Sequence, residues 1–318
     1  MDNVWLTLLL SVVFLTSAAE FLVRGSAGLA QRLGISRFVM GMLLLSLATA
    51  LPELSIALQA MRSGQEPLAL GTVVGNNIVN FGLTMGVAAM VATLVTHWRA
   101  LNGLLLGLVV GSIAVIAMGW NGNISRVDGI ILLAIFIAFM GWAVLASRSE
   151  SADVHREMEV LAGRHNALWL DVVFVALGAV MLYFGSLWIV QKAPALGVEL
   201  GLGPHVVGLL PIAIAVTLPE AIMAIAAARR GHGDLVVGHV IGSSLLNTTV
   251  VIGLLAMSSG GLMIPRGFLT FELPMAAIGA CLMFPMLRGD MRITRAEGTI
   301  LVITFIVWLA IELLMVTQ

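Results

Sequence analysis

Long apolar stretches alternate with short polar segments along the whole chain. Ten such stretches can be drawn, each close to the ~20 residues that a helix needs to cross the hydrocarbon of a bilayer. They cover residues 4–23, 36–61, 67–94, 101–119, 128–147, 168–190, 205–228, 235–258, 267–287 and 298–316. Of the 318 residues, 60% are hydrophobic and 10% are charged, a balance that excludes a soluble domain. The pattern predicts an all-α polytopic membrane protein with ten transmembrane helices.

A polar segment at residues 148–166 divides the ten predicted spans into two sets of five. We expect a first repeat at 1–147 and a second repeat at 167–318, joined by this linker. Four of the 16 basic residues fall in the loops after even-numbered spans: Arg62, Arg126, Lys192 and Arg266. Because the other basic residues follow odd-numbered spans, and basic loops stay in the cytoplasm, the linker is predicted to be cytoplasmic and both termini to lie outside.

The two halves share a gapless repeat with an offset of 167 residues. Leu51-Pro52-Glu53 corresponds to Leu218-Pro219-Glu220, within matching motifs at about 38–90 and 205–257. Further identical pairs are Gly41 and Gly208, Gly71 and Gly238, Gly75 and Gly242, Asn80 and Asn247, and Gly86 and Gly253. Since five spans precede the second copy, the two copies have inverted topology. Inverted repeats with interrupted helices at corresponding positions indicate a secondary transporter with a site near the middle of the membrane.

Each copy carries a proline and a glutamate in the middle of an apolar stretch. An ionised carboxylate costs about 3 kcal/mol at the centre of a bilayer. Pro52 and Pro219 lack the N–H that would bond the carbonyl four residues earlier, so we expect both helices to be interrupted there. Carboxylate and freed carbonyl oxygens are hard ligands that suit Na⁺ or Ca²⁺. We therefore expect Glu53 and Glu220 to share one ion site, where a cation or protons neutralise two like charges.

The helix that follows each glutamate begins with small residues and carries a polar stripe. Asn76 and Asn80 lie four residues apart in the first copy, as do Ser243 and Asn247 in the second, so each pair occupies one helix face. Asn80 and Asn247 are favoured as ligands because they recur at the same distance from the glutamate. Two neighbouring residues are interpreted as polar contacts between helices: Asn77 and Ser244.

These two stretches resemble the paired alpha-repeats of the calcium/cation antiporter superfamily, specifically the sodium/calcium exchangers. The family core is similar to Gly-Thr-Ser-Leu-Pro-Glu, followed by Gly-Asn-x-x-Gly-Ser-Asn-x-x-Asn or Asp. The resemblance implies the sodium/calcium exchanger-like fold and alternating access, in which spans one and six slide over a static core of eight helices. It also implies antiport of Ca²⁺ and Na⁺ without a cofactor and without enzyme activity.

The same resemblance implies a role for each matching residue. Glu53 and Glu220 would coordinate Ca²⁺ and share in Na⁺ sites, and backbone oxygens around Thr49 and Val216 would complete the calcium shell. The other implied ligands are Ala213, Thr217 and Ser243 toward the outside, Ser46 and Asn76 toward the inside, and Asn80 and Asn247 beside the centre.

Four departures from the family pattern leave the driving ion open. Ala50 removes a serine hydroxyl, and Asn76 replaces a serine with an amide. Val216 replaces a threonine, and Asn247 stands where many members have aspartate. The site then holds two fixed negative charges, enough to balance one divalent ion. Exchange of Ca²⁺ or another cation against protons is therefore the alternative to sodium coupling.

A third hypothesis is an intramembrane hydrolase that uses the two carboxylates. The sequence places no nucleophile, histidine pair or metal motif near the glutamates, and the single cysteine, Cys281, excludes a disulfide framework. His205, His232 and His239 are expected at loops or helix ends near the interface, with a pH-sensing role for His239 left open. We expect inorganic cations as substrates, a bacterial inner membrane as the location, and no nucleic acid or obligatory protein partner.

Overall fold

A computed structural model describes residues 3–32, 37–96, 101–146, 167–258, 260–288 and 290–316, so the predicted linker lies outside the described residues. Ten helices occupy the described ranges, as predicted. They are α1 (Val4–Arg32), α2 (Arg37–Arg62), α3 (Glu66–Val91), α4 (Leu101–Asn121), α5 (Arg126–Ala146), α6 (Leu168–Leu200), α7 (Pro204–Arg229), α8 (Gly233–Ser258), α9 (Phe268–Arg288) and α10 (Arg295–Val316). Nine of these described helices are long and apolar enough to cross a membrane, and α2 has 26 residues, which at ~1.5 Å per residue also suffices.

Helices α1 and α6 are longer than the sequence pattern predicts. They contain 29 and 33 residues, whereas apolar runs at 4–23 and 168–190 were expected. Helix α6 continues through Pro194 and ends before Gly201, whose φ of 68° forms a left-handed cap. At ~1.5 Å per residue α6 is about 50 Å long, so it extends past a hydrocarbon layer of about 30 Å or tilts within it.

The two long helices pack mainly on each other and form a pair at one side of the bundle. Gly178 of α6 lies against Ala18 and Leu22 of α1, where a side chain would clash. Near the end of α1, Asp171 of α6 is buried, and Arg32 Nε lies 3.5 Å from its Oδ2. These contacts tie α1 and α6 into one unit.

Helices α3 and α8 lie at the centre of the protein. In each, 83% of the most apolar segment is buried, compared with 22% in α1. Each contains a π-helical turn that begins at an equivalent asparagine, at Asn80–Met85 and Asn247–Val251. A π-helical turn inserts one residue into the hydrogen-bond ladder and is frequent at functional sites. The two halves therefore share this feature of local backbone geometry as well as the sequence repeat.

Each central helix packs against the proline-glutamate helix of the other half, α3 against α7 and α8 against α2. Where α3 crosses α7, Gly71 lies against the backbone of His205 and Gly75 against the backbone of Leu209. Neither position has space for a side chain, so glycine permits the two backbones to approach closely. This crossing brings the polar stripe of α3 onto the helix that carries Glu220.

Within the described ranges, four short strands near the helix ends form two antiparallel pairs. They are β1 (Leu94–Val95), β2 (Asn123–Ile124), β3 (Leu262–Met263) and β4 (Arg292–Ile293), with β1 paired to β4 and β2 paired to β3. The offset of 167 residues places β1 within one residue of β3 and β2 within two residues of β4, so exchanging the halves turns one pair into the other. The β1–β4 pair follows α3 and α9, and the β2–β3 pair follows α4 and α8. One strand pair thus follows odd-numbered helices and the other follows even-numbered helices. This alternation fits ten membrane crossings and two halves of inverted topology.

The predicted interruption at the prolines does not occur. Pro52 lies inside α2 and Pro219 inside α7, and the helix continues through both. A proline removes one backbone hydrogen bond, and neighbouring helices in a membrane protein hold the segment together despite that loss. The described departures from α-helical geometry within the two repeat motifs lie instead at the π-helical turns of α3 and α8 and at Gly208–Ile212 of α7.

Candidate cation site

Helices α2, α3, α7 and α8 bring two carboxyl groups from opposite halves into one buried region. The Glu53 side chain is fully buried and Glu220 is 8% exposed. Asn76 Nδ2 donates to both Glu53 Oε1 and Thr217 Oγ1, and Thr217 lies three residues before Glu220 on α7, so the two carboxyl groups belong to one neighbourhood. Two like charges in a buried region repel strongly, because little water is present to screen them. The region therefore requires positive charge, as protons or as a cation.

Asn76 connects the two halves through hydrogen bonds of its side-chain amide. Its Nδ2 donates to Glu53 Oε1 at 2.7 Å and to Thr217 Oγ1 at 3.0 Å. Its Oδ1 accepts from Asn80 Nδ2 at 2.8 Å and from Asn247 Nδ2 at 3.0 Å. The Asn76 amide nitrogen thus lies between oxygen atoms of α2 and α7, in the kind of surroundings that a cation occupies.

Several buried oxygens around this network have no hydrogen-bond partner within the described part of the chain. They are Glu53 Oε2, Glu220 Oε2, Asn80 Oδ1, Asn247 Oδ1 and Ser243 Oγ. Buried polar atoms normally have a partner, so a group of partnerless ones calls for a ligand. Hard oxygen atoms of this kind suit Na⁺ and Ca²⁺. Among the described residues, no three His, Cys, Asp or Glu side chains cluster as a metal site, so neutral oxygens would have to complete any ion shell.

The structure brings most of the residues predicted for the site into this region. Six of these residues are fully buried: Asn76, Asn80, Ala213, Thr217, Ser243 and Asn247. Val216 is 5% exposed. Thr217 Oγ1 donates to the Ala213 carbonyl at 2.7 Å and accepts from Asn76 Nδ2 at 3.0 Å, which leaves the hydroxyl oxygen one lone pair. Ser46 and Thr49 lie on α2, but their side chains are outside the described residues. Asn77 donates to Thr248 Oγ1 at 2.9 Å, the interhelical contact that its position indicated.

His239 is placed differently from the sequence prediction. It is 8% exposed and lies on the second turn of α8, not at a helix end at the interface. Its Nε2 is 3.4 Å from Glu220 Oε2. The spacing of His239 from Ser243 and Asn247 could have predicted this position, because residues 239, 243 and 247 fall on one face of a helix. The glycine-rich turn before α8 obscured this signal, since it suggested that the helix begins close to His239.

A cavity of about 140 Å³ lies beside Glu220. It lies between the last turns of α7 and the first turns of α8, where Gly233 packs against Val95 of β1. Its walls are formed by Met223, Ala224, Ala227, Leu235 and Val236, and its polar groups are Glu220 and His239. The second carboxylate and His239 thus border the same cavity.

The family model described as "Sodium/calcium exchanger protein" matches residues 3–145 and 170–314 of this chain. The chain belongs to the sodium/calcium exchanger family. Its two matched segments correspond to the two halves of the repeat and leave the polar segment between them unmatched.

Two curated relatives cover almost the whole sequence. The inner membrane protein YrbG of Escherichia coli K12 is 29% identical over 312 residues, which are 95% of this chain and 94% of that protein. The sodium/calcium exchanger MaX1 of Methanosarcina acetivorans is 24% identical and covers 96% of this chain and 97% of its own length.

The fold of this exchanger-family protein is also that of a solved structure. The sodium-calcium exchanger NCX_Mj, soaked with 2.5 mM Na⁺ and 10 mM Sr²⁺, superposes with a TM-score of 0.67 at 23% identity over 97% of this chain and 99% of that chain. This similarity confirms the predicted fold class. Since the family consists of exchangers, the protein is an integral membrane transporter of inorganic cations and not an enzyme, which removes the hydrolase hypothesis.

Proposed function

We propose that this protein is a secondary active antiporter that exchanges Ca²⁺ for Na⁺ at one site shared by α2, α3, α7 and α8. The observation that carries the proposal is that Glu53 and Glu220, from opposite halves, are both buried and each keeps an Oε2 atom without a hydrogen-bond partner among the described residues. The names of MaX1 and NCX_Mj, both called sodium/calcium exchangers, support the choice of ions.

The charge at the site suits either of the two exchanged ions. Two ionised carboxylates supply two negative charges, and one Ca²⁺ or two Na⁺ neutralise them. We assign the calcium shell to Glu53, Glu220 and backbone oxygens around Thr49 and Val216. The sodium positions are assigned to Ala213, Thr217 and Ser243 on one side, to Ser46 and Asn76 on the other, and to Asn80 and Asn247 beside the centre.

Competition for the same carboxylates couples the two fluxes. When ions neutralise the site, the protein can change between its outward-open and inward-open states at a low cost in free energy. When the site is unoccupied, the same change exposes two uncompensated charges to a low-dielectric region, which costs much more. The paired helices α1 and α6, which pack mainly on each other, are suited to move as one unit over the remaining eight helices. Exchange results because only occupied states complete the movement.

A flux experiment tests the choice of ions. Purified protein in liposomes is given ⁴⁵Ca²⁺ outside and, in separate samples, an outward gradient of Na⁺, H⁺ or K⁺. We expect the Na⁺ gradient to drive calcium uptake and the K⁺ gradient to have no effect. Uptake driven by H⁺ alone would reject sodium coupling and favour the alternative, which the neutral residues Ala50 and Asn247 motivate. Absence of uptake under all three gradients would contradict calcium antiport.

We propose further that the β1–β4 side faces the cytoplasm of a bacterial cell and that both termini lie outside. The basic residues support this, because the α7–α8 turn carries Arg229 and Arg230. In a Cys281→Ser background, a membrane-impermeant maleimide should label Asn121→Cys in intact cells. Arg230→Cys should react only after permeabilisation. The reverse labelling pattern would invert the orientation.

A further inference from the structure

A histidine nitrogen lies at the edge of the cation site. His239 Nε2 and Glu220 Oε2 are 3.4 Å apart, and neither atom makes a hydrogen bond within the described residues. Ser243 Oγ, one helical turn further along α8, is also buried without a partner among them. Three possible ligand atoms on two neighbouring helices, one of them nitrogen, therefore make no hydrogen bond among the described residues.

The first half of the protein differs at this point. The offset of 167 residues pairs His239 with Thr72, which is also buried. Thr72 Oγ1 donates to the Leu68 carbonyl at 2.9 Å, a bond within its own helix. The fold thus accommodates a small, satisfied hydroxyl at the equivalent position. The imidazole with its unsatisfied nitrogen is a feature of the second half alone.

The separation of the two atoms fits one shared metal ion. If an ion bound both His239 Nε2 and Glu220 Oε2 with bonds of about 2.1 Å, the nitrogen–metal–oxygen angle would be about 108°, which is close to tetrahedral. Imidazole nitrogen is a preferred ligand of divalent first-row transition metals, whereas Ca²⁺ and Na⁺ favour oxygen. The nitrogen therefore changes which ions the site can hold.

We propose that Glu220 and His239 form a binding position for a divalent first-row transition metal ion at the end of the site nearest the β1–β4 side. This inference rests on the proposed cation site and extends its substrates beyond Ca²⁺. Ser243 Oγ is the third protein ligand, and water supplies the rest. Glu220 and His239 both border the cavity between α7 and α8, and they are its polar groups.

Pulsed electron paramagnetic resonance of the purified full-length protein with Mn²⁺ detects nitrogen ligands directly. The wild-type protein should show ¹⁴N modulation of the Mn²⁺ echo, and His239→Thr, which copies the residue of the first half, should lose it. Since the chain has six histidines, His205→Thr serves as the matched control and should retain the modulation. His239→Asn serves in place of His239→Thr if the threonine variant does not fold.

Competition against ⁴⁵Ca²⁺ uptake gives a second readout. For each protein, the concentration of Co²⁺ or Mn²⁺ that halves uptake is divided by the KM for Ca²⁺. In His239→Thr this ratio should rise at least about tenfold for Co²⁺ and less for Mn²⁺, because the preference for nitrogen grows along that series.

The outcomes separate this inference from the proposed function. Nitrogen modulation absent from the wild-type protein, or unchanged in His239→Thr, overturns the transition-metal position, as does an unaltered competition ratio. The resonance experiment does not require transport. A protein that fails to exchange Ca²⁺ yet shows His239-dependent modulation would therefore disprove the proposed exchange and retain the metal position.

Discussion

Glutamine in place of Glu53 or Glu220 is expected to reduce calcium exchange by at least about 100-fold while the protein stays folded. Each substitution keeps the shape of the side chain and one carbonyl oxygen but removes one of two charges that balance a divalent ion. Leaving a buried charge without its counterpart costs about 3–5 kcal/mol, and about 1.4 kcal/mol corresponds to a factor of ten. The measurement is the initial rate of ⁴⁵Ca²⁺ uptake into liposomes under the gradient that drives the wild-type protein.

Two controls distinguish a lost ion site from a lost fold. Glu66→Gln removes a partly exposed acid in the first turn of α3, and its uptake should match the wild-type rate. The unfolding temperatures of the Glu53 and Glu220 variants should not fall, because a neutral amide costs less to bury than a carboxylate. Near-normal uptake by either glutamine variant would contradict the shared site.

Leucine in place of Gly75 is expected to destabilise the protein by at least about 3 kcal/mol, the upper part of the usual range for overpacked cores. A Cβ at Gly75 would lie 2.8 Å from the Cα of Leu209, and its nearest contact would be the Leu209 carbonyl oxygen. Backbone atoms cannot rotate aside as a side chain can, so α3 and α7 would have to separate. The measurement is the yield and unfolding temperature of the purified protein.

Gly141→Leu is the matched control for Gly75→Leu. Gly141 also lies inside a helix, but a Cβ there has no neighbouring atom within 4 Å. Leucine has a higher helix propensity than glycine, so this variant should be at least as stable as the wild-type protein. Equal stability of the two leucine variants would show that the contact between α3 and α7 is not tight.

The number and the approximate positions of the helices were predictable because they depend on features that are local in the chain. Apolar length determines which segments can cross the bilayer, and ten helices were predicted and ten are found among the described residues. The ends of α1 and α6 were predicted less well, because a helix can continue past the apolar run into polar surroundings. The assumed break at Pro52 and Pro219 was wrong for a related reason. Whether one missing hydrogen bond ends a helix depends on the neighbours that hold it.

The sequence by itself determined that two glutamates occupy equivalent places in two inverted halves, since a fixed offset and a charge in an apolar run are visible without coordinates. Only the tertiary structure decided which polar atoms meet. Asn76 contacts Thr217 and Asn247, residues 141 and 171 positions away, and His239 faces Glu220. Such contacts depend on how helices from the two halves rotate and cross, which is decided by close packing at residues such as Gly71 and Gly75 and not by the order of residues along one helix.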